Sequence, residues 1–300
     1  MSHPTTPITL PPSSPLRRLA GGLHRHPRVR LGALLAAPLG WLVVAYLGSL
    51  FLFLVSSFWS VDSFTGNIVY QPTIDNYAEL LTTEVYRTIA VRTLVMAALV
   101  SVTTILIAFP IAFYMARQAS PRIRGLLVVS ILLPLWSGYL VKVYAWRLIL
   151  SESGVLNGVL APLGLHGPGF GDVAVWLVET YLWLPYMIIP IFAGLERVPG
   201  SLLEASADLG ARSWLTFRRV VLPLVLPSVV AGSIFTFSLT LGDYITPTLV
   251  SNTKFLGNVI YDFLGVAGNQ PFAAAYAMVP VVIMIVYLLI ARRLGAFEAL

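Results

Sequence analysis

Residues 173–214 read VAVWLVETYLWLPYMIIPIFAGLERVPGSLLEASADLGARSW. The first half, Val173 to Leu195, is a clean apolar run that carries one carboxylate, Glu179. About 20 apolar residues in a helix cross the hydrocarbon core of a bilayer, so this run predicts a membrane span. The second half changes character at Pro199-Gly200 and becomes a short segment of Ala, Ser, Leu and Gly. A span that delivers the chain into a small structured loop sets the class: an all-α membrane protein with folded connections.

Composition agrees. Hydrophobic residues make up 57% of the chain, charged residues 11%, and the mean hydropathy is +0.83. A soluble domain carries about 25% charged residues and cannot hide so much apolar surface from water. There is no cysteine, which excludes disulfides, thiolate metal sites and a thiol nucleophile. The histidines are His3, His24, His26 and His166, and none sits in an HExxH frame, so no metal site is expected. The net charge of +6 does not point to nucleic acid, because the arginines lie in short stretches between apolar runs.

Five more runs reach or approach spanning length: Leu31–Phe58, Thr93–Met115, Leu126–Ile149, Leu224–Tyr244 and Phe272–Ile290. Six transmembrane helices are therefore predicted, the third interrupted by Lys142 and Arg147. Residues 31–58 form the first span, and residues 1–30 read as a disordered basic cytoplasmic tail. Its Pro-, Ser- and Thr-rich start is followed by Arg17, Arg18, Arg25, Arg28 and Arg30, placed to meet anionic headgroups. The apolar run after it is too long for a signal peptide and lacks a cleavage site. Fourteen of the nineteen Lys and Arg fall on one side of the predicted spans. By the positive-inside rule both termini are cytoplasmic and Glu196–Pro223 is an inner loop. The outer connections, Trp59–Arg92, Leu150–Asp172 and Val250–Pro271, are longer and could receive a partner from outside.

Within the inner loop, Ser201 stands three residues before Glu204, the spacing of a capping box. Leu202, Ala205, Ser206 and Leu209 share one helical stripe. Gly210 is placed to end the helix in a left-handed turn. Ser213 can cap a second short helix that stops before Pro223. The loop thus predicts a helix-turn-helix along the membrane face, with small side chains that let a partner approach closely.

The run Glu204-Ala205-Ser206-Ala207-Asp208-Leu209-Gly210, followed by Leu222-Pro223, resembles the EAA loop of permeases in ATP-binding-cassette importers. Ser206 stands where the pattern has a second alanine. Leu140-Val141-Lys142-Val143-Tyr144-Ala145-Trp146, Asn157-Gly158-Val159-Leu160 and Gly242-Asp243 with Pro247 resemble the spermidine/putrescine-type branch. The resemblance covers roughly residues 87–293 and implies a type I importer permease fold, with the coupling loop at 196–223. It also implies three kinds of partner besides the lipid bilayer. These are a cytoplasmic ATPase dimer that grips the loop, a second permease that is a paralogue, and an extracytoplasmic solute-binding protein. The coupling residues it implies are Glu204, Ala205, Ser206, Asp208, Gly210, Leu222 and Pro223. ATP would be bound by the partner, and the residues agree. The lysines are Lys142 and Lys254, neither following a glycine, so no phosphate-cradling G-x-x-x-x-G-K-[ST] loop exists.

Candidates for the substrate path are Asp243, Tyr244, Trp136, Tyr139 and Tyr144. An acid inside a membrane is costly and faces a cavity or a partner, and aromatic rings can stack on a cation. For Asp243 a structural pair with Lys142 or Arg147 competes equally, and for Glu179 a structural pair is expected. The bland reading of the aromatic residues is an interfacial belt. The resemblance implies a polyamine first and leaves opines, other amines or amino-acid derivatives, ferric iron and thiamine open. Two rivals come from other classes. An ion-driven secondary transporter would need paired acids along its spans, which are sparse. An intramembrane enzyme would need a nucleophile motif such as G-x-S-x-G, which is absent, so no catalytic residue is expected.

Overall fold

The computed structural model describes residues 27–62 and 64–295. The chain divides into two units, Met1–Val55 and Ser56–Leu300. Most of the basic tail lies outside the described residues; its last part, from Pro27, is already helical. The first unit is the helix α1, which runs over residues 27–56 and ends one residue inside the second unit. A wider π-helical turn, Leu42–Leu47, lies within it, and residues 34–56 are apolar enough to cross a membrane.

The second unit opens with a two-stranded hairpin, β1 (Ser60–Val61) paired antiparallel with β2 (Ile68–Val69). Asp62 builds its turn by accepting from the backbone N–H and hydroxyl of Thr65 and from the N–H of Phe64. The Thr65 N–H first, then its hydroxyl and the Phe64 N–H, hold the Asp62 carboxyl below the usual carboxylate range. Helix α2 (Asp75–Thr82) follows, tied back where Asn76 Nδ2 donates to the carbonyls of Ser57 and Trp59.

Three long helices form the centre: α3 (Glu84–Arg117), α7 (Asp172–Glu196) and α9 (Ser213–Gly242). They pack on one another pairwise. Lipid supplies no hydrophobic drive between helices, so close approach of small residues has to hold them. Ala97, Ala108 and Ala112 of α3 are fully buried, as are Ala174 of α7 and Thr236 of α9. At Gly194 of α7 an added Cβ would lie 2.7 Å from Ser228 Cβ of α9, so only glycine allows that crossing. The last helix, α12 (Gln270–Arg293), buries Phe272 and Tyr276 against α3 and α9 and leaves Val282, Ile285, Val286 and Leu289 exposed, as a lipid-facing surface permits.

The third expected span is not one helix. Helices α4 (Pro121–Trp136) and α5 (Tyr139–Leu150) meet at a bend of 95°. Pro134 deprives the last turn of α4 of a backbone donor. Ser137 then turns back and gives its hydroxyl to the Pro134 carbonyl at 2.8 Å, and Ser137 and Gly138 are both extended. The break explains why Lys142 and Arg147 fall inside an apolar run: they belong to a separate, reoriented helix. Helix α6 (Val155–Leu160) continues into the next connection. Two further helices, α10 (Ile245–Val250) and α11 (residues 256–266), fill the connection between α9 and α12.

Candidate functional site

The loop between α7 and α9 contains α8, Gly200–Asp208. Its start differs from expectation. Pro199 is the residue before the helix, no side chain caps it, and Ser201 lies within the first turn. The Ser201–Glu204 capping box therefore does not form, because the proline with its fixed backbone starts the helix two residues earlier. Glu204 and Asp208 are exposed and make no side-chain bond among the described residues.

The end of α8 is as expected. Gly210 has φ +74°, its N–H donates to the Ala207 carbonyl at 2.8 Å, and the Ala211 N–H donates to Ser206 at 3.1 Å. This pair of bonds closes the helix in a Schellman motif. Leu202, Ala205 and Leu209 face outward, Leu209 being 88% exposed. Ser206 turns the other way and shares a 2.8 Å hydrogen bond with the Thr216 hydroxyl. The serine in place of alanine thus ties α8 to the next limb, a role that the stripe reading missed.

The second limb is also different. Ser213 does not cap it, and no short helix stops before Pro223. Residues 213–242 form one helix, α9, with a π turn at Phe217–Val221 immediately before Leu222-Pro223. The wider turn accommodates the proline, which cannot donate to the preceding turn. Trp214 stacks on Phe217, which meets Phe109 of α3 edge-on.

A second polar constellation lies where α5, α9 and α10 meet. Asp243, buried at 9% exposure, follows the last residue of α9. Its Oδ1 accepts from the N–H groups of Ile245 and Thr246 at 2.9 and 3.3 Å. Its Oδ2 accepts from the hydroxyls of Tyr139 and Thr246 at 2.5 and 2.6 Å. Asp243 takes nothing from Lys142 or Arg147, so the structural ion pair is not made; the carboxylate is satisfied by hydroxyls and by the start of α10. Glu179 does not form its expected pair either. It is buried at 1% exposure, and its Oε2 has no hydrogen-bond partner among the described residues. Helix α5 gives Val143 and Leu150 to the core and leaves Arg147 exposed, so that cation points elsewhere.

Tyr139, Asp243 and Tyr244 line one open cleft of about 360 Å³ with Trp183, Ser238 and Gly242. Tyr139 lies parallel to Trp183 at 5.9 Å, and Tyr244 stacks on Tyr261 at 4.8 Å. Trp136 and Tyr144 do not line this cleft. Trp136 ends α4 before the bend and is 89% exposed, and Tyr144 lies on the outward side of α5.

The pattern of the family described as "Binding-protein-dependent transport system inner membrane component" matches residues 105–296. The chain belongs to that family. This permease is 44% identical over 306 residues to the Inner membrane ABC transporter permease protein YdcU of Escherichia coli K12, covering 96% of this chain and 97% of the relative. It is 30% identical over 259 residues to the Spermidine/putrescine transport system permease protein PotB of Haemophilus influenzae, covering 84% and 90%. The fold is shared with a chain of the bacterial alginate ABC transporter solved in complex with an alginate pentasaccharide-bound periplasmic protein. There the TM-score is 0.73 at 17% identity, over 94% of this chain and 98% of that one. The protein is thus a multi-pass inner-membrane permease of an ATP-binding-cassette importer with the type I fold, and a transport component, not an enzyme.

Two supports of the permease's cleft were invisible in its sequence. Asn258 of α11 donates to the Tyr244 carbonyl at 2.8 Å and to Thr248 at 2.7 Å. Gly257 packs against the Asp243 turn, where an added Cβ would meet the carbonyls of Asp243 and Gly242 at 2.8 and 2.9 Å. Those atoms are backbone and cannot step aside. Gly257→Val is therefore expected to displace Asp243 and lower stability by about 1–3 kcal/mol, as overpacking does. Thermal denaturation of the detergent-solubilised permease measures this, with Gly158→Ala, which meets nothing within 4 Å, as the neutral comparison.

Proposed function

We propose that this permease forms half of a substrate path and is driven by a separate cytoplasmic ATPase that grips α8, with a polyamine or similar small amine as substrate. The observation that carries the coupling assignment is the geometry of α8. An exposed stripe of Leu202, Ala205 and Leu209 stands beside two carboxylates that have no partner among the described residues and ends in a fixed turn at Gly210. Such a surface offers a partner apolar area, close backbone approach and directional charge. Ser206, Leu222 and Pro223 serve it from behind, the first by the bond to Thr216, the others by starting the span after the π turn.

The amine assignment is supported by the cleft itself. A carboxylate set among Tyr139, Trp183 and Tyr244 suits a cation that can pair with the acid and stack on rings. The relative named as a spermidine/putrescine permease points the same way. The further partners are a second permease subunit, a paralogue, and an extracytoplasmic solute-binding protein. The skewed distribution of Lys and Arg supports cytoplasmic termini.

Uptake of spermidine into membrane vesicles tests this reading. With the ATPase, binding protein and ATP present, uptake is expected; with the ATPase omitted and a proton or sodium gradient imposed, none is expected. Uptake under the second condition contradicts the borrowed-engine mechanism. Failure of spermidine alone, with ATP-driven uptake of another solute, removes only the amine assignment.

A further inference from the structure

The positive-inside count treats Arg117, Arg122 and Arg124 as equivalent inner charges, yet the structure separates them. Arg122 is exposed. Arg117, the last residue of α3, donates through Nη2 to the carbonyls of Leu195 and Val198, both at 2.7 Å. Arg124 of α4 donates through Nε to Met115 at 3.1 Å and through Nη2 to Ala116 at 3.3 Å, and its Nη1 pairs with Glu196 at 2.9 Å. Two guanidinium groups therefore bind the carbonyls at the ends of α3 and α7 together and join the first turn of α4 to both. The end of a helix leaves such carbonyls without partners inside the helix, and a rigid planar donor is suited to holding several at once.

The position matters because Val198 directly precedes Pro199-Gly200, where α8 begins. Val198 and Leu195 are themselves buried in the core made by α3, α7 and α9. Helix α4, by contrast, buries none of its residues fully; Leu127, Val128 and Ile131 pack against that core, and the arginine contacts hold its first turn. At its other end α4 meets the bend whose next residue, Tyr139, bonds Asp243. A displacement of α8 thus has a hydrogen-bonded route through the arginines to α4, and through α4 to the cleft.

We propose that Arg117 and Arg124 form a clasp that transmits movement of α8 to α4. Both are positioning residues, and the proposal rests on the reading of α8 as the ATPase contact. Loss of the clasp leaves the ATPase bound and hydrolysing while the cleft no longer follows it.

The absence of cysteine makes the test direct. In the complete transporter, spin labels are placed at Leu133→Cys on α4 and Val266→Cys on α11, both exposed, and their separation is measured with and without ATP and vanadate. The separation is expected to change in the otherwise unaltered transporter. In Arg117→Met and in the Arg117→Met/Arg124→Met pair the change is lost, although ATP hydrolysis stays within about twofold. Arg117→Lys, which keeps a cationic donor, restores part of the change, and Arg122→Ala leaves it intact. A change that persists undiminished in the double variant overturns the proposal. So does the absence of any change in the otherwise unaltered transporter. So does a loss of complex, hydrolysis and distance change together in both the Met and the Lys variants, which marks a structural role alone. A failure of the α8 reading shows separately, as absence of cross-linking between Leu209→Cys and the ATPase.

Discussion

Gly210→Val is expected to lower uptake by about 5–150-fold while leaving the permease in the membrane at ordinary abundance. At φ +74° a β-branched residue is strained by about 1–3 kcal/mol. The strain is relieved by giving up the bonds from Gly210 to Ala207 and from Ala211 to Ser206 that close α8. The helix then loses its fixed end, and Leu209 and Asp208 lose their placement on the exposed surface. A coupling loss of 1–3 kcal/mol corresponds to a factor of roughly 5–150. Glu204→Lys reaches the same outcome by another route, reversing an exposed charge on an intact helix. Immunoblots of the membrane fraction beside initial uptake rates separate failed coupling from failed insertion. Uptake at the normal rate in both variants contradicts the assignment of α8.

Asp243→Asn is expected to lower uptake by a similar factor without removing the side chain's shape. The carboxylate accepts at both oxygens, from two N–H groups on one and from two hydroxyls on the other. An amide accepts at only one, so its oxygen stays with the start of α10 and its NH2 faces Tyr139 and Thr246, whose hydroxyls must turn from donating to accepting and lose a charged partner. Losing the charge-assisted part of these bonds costs about 1–3 kcal/mol, or roughly 5–150-fold if it acts through the path. Tyr139→Phe removes one of the four bonds and is expected to have a smaller effect. The check is a comparison of uptake rates across several spermidine concentrations. A reduced rate that excess substrate restores indicates recognition, and one that it does not restore indicates a changed conformational step. An unaltered rate in Asp243→Asn separates this acid from the path.

Most of the fold was legible because lipid imposes a single strong rule, that an apolar run of sufficient length becomes a helix. The runs Val173–Leu195 and Phe272–Ile290 obeyed it within a few residues. The run Leu126–Ile149 did not, since hydropathy carries no record of direction; Pro134, Ser137 and Gly138 marked the bend but not its angle. The end of α8 was readable because left-handed backbone almost requires glycine. Its start was misread because Pro199 and Ser201 are both good starting residues, and the proline prevailed.

For the cleft, sequence pointed to Tyr139, Asp243 and Tyr244, and the fold brings them together. Trp136 and Tyr144 were named on residue type alone, and a helix has two sides. Gly257, Asn258 and the two clasp arginines were missed since their partners are distant in the chain: Arg117 reaches residues 78 and 81 positions away. The one available signal was that Arg117 and Arg124 flank Ser120-Pro121, a tight junction between helices in which long donors meet exposed carbonyls.

The surface of α8 can be tested for its partner without any knowledge of the substrate. Leu209→Cys is introduced into the cysteine-free permease, the ATPase carries a single cysteine on its membrane-facing groove, and short bifunctional reagents are added with and without ATP. A cross-linked pair whose yield depends on ATP is the expected result. Cross-linking to no nucleotide-binding protein, or labelling of that cysteine by an impermeant reagent from outside the cell, contradicts the account.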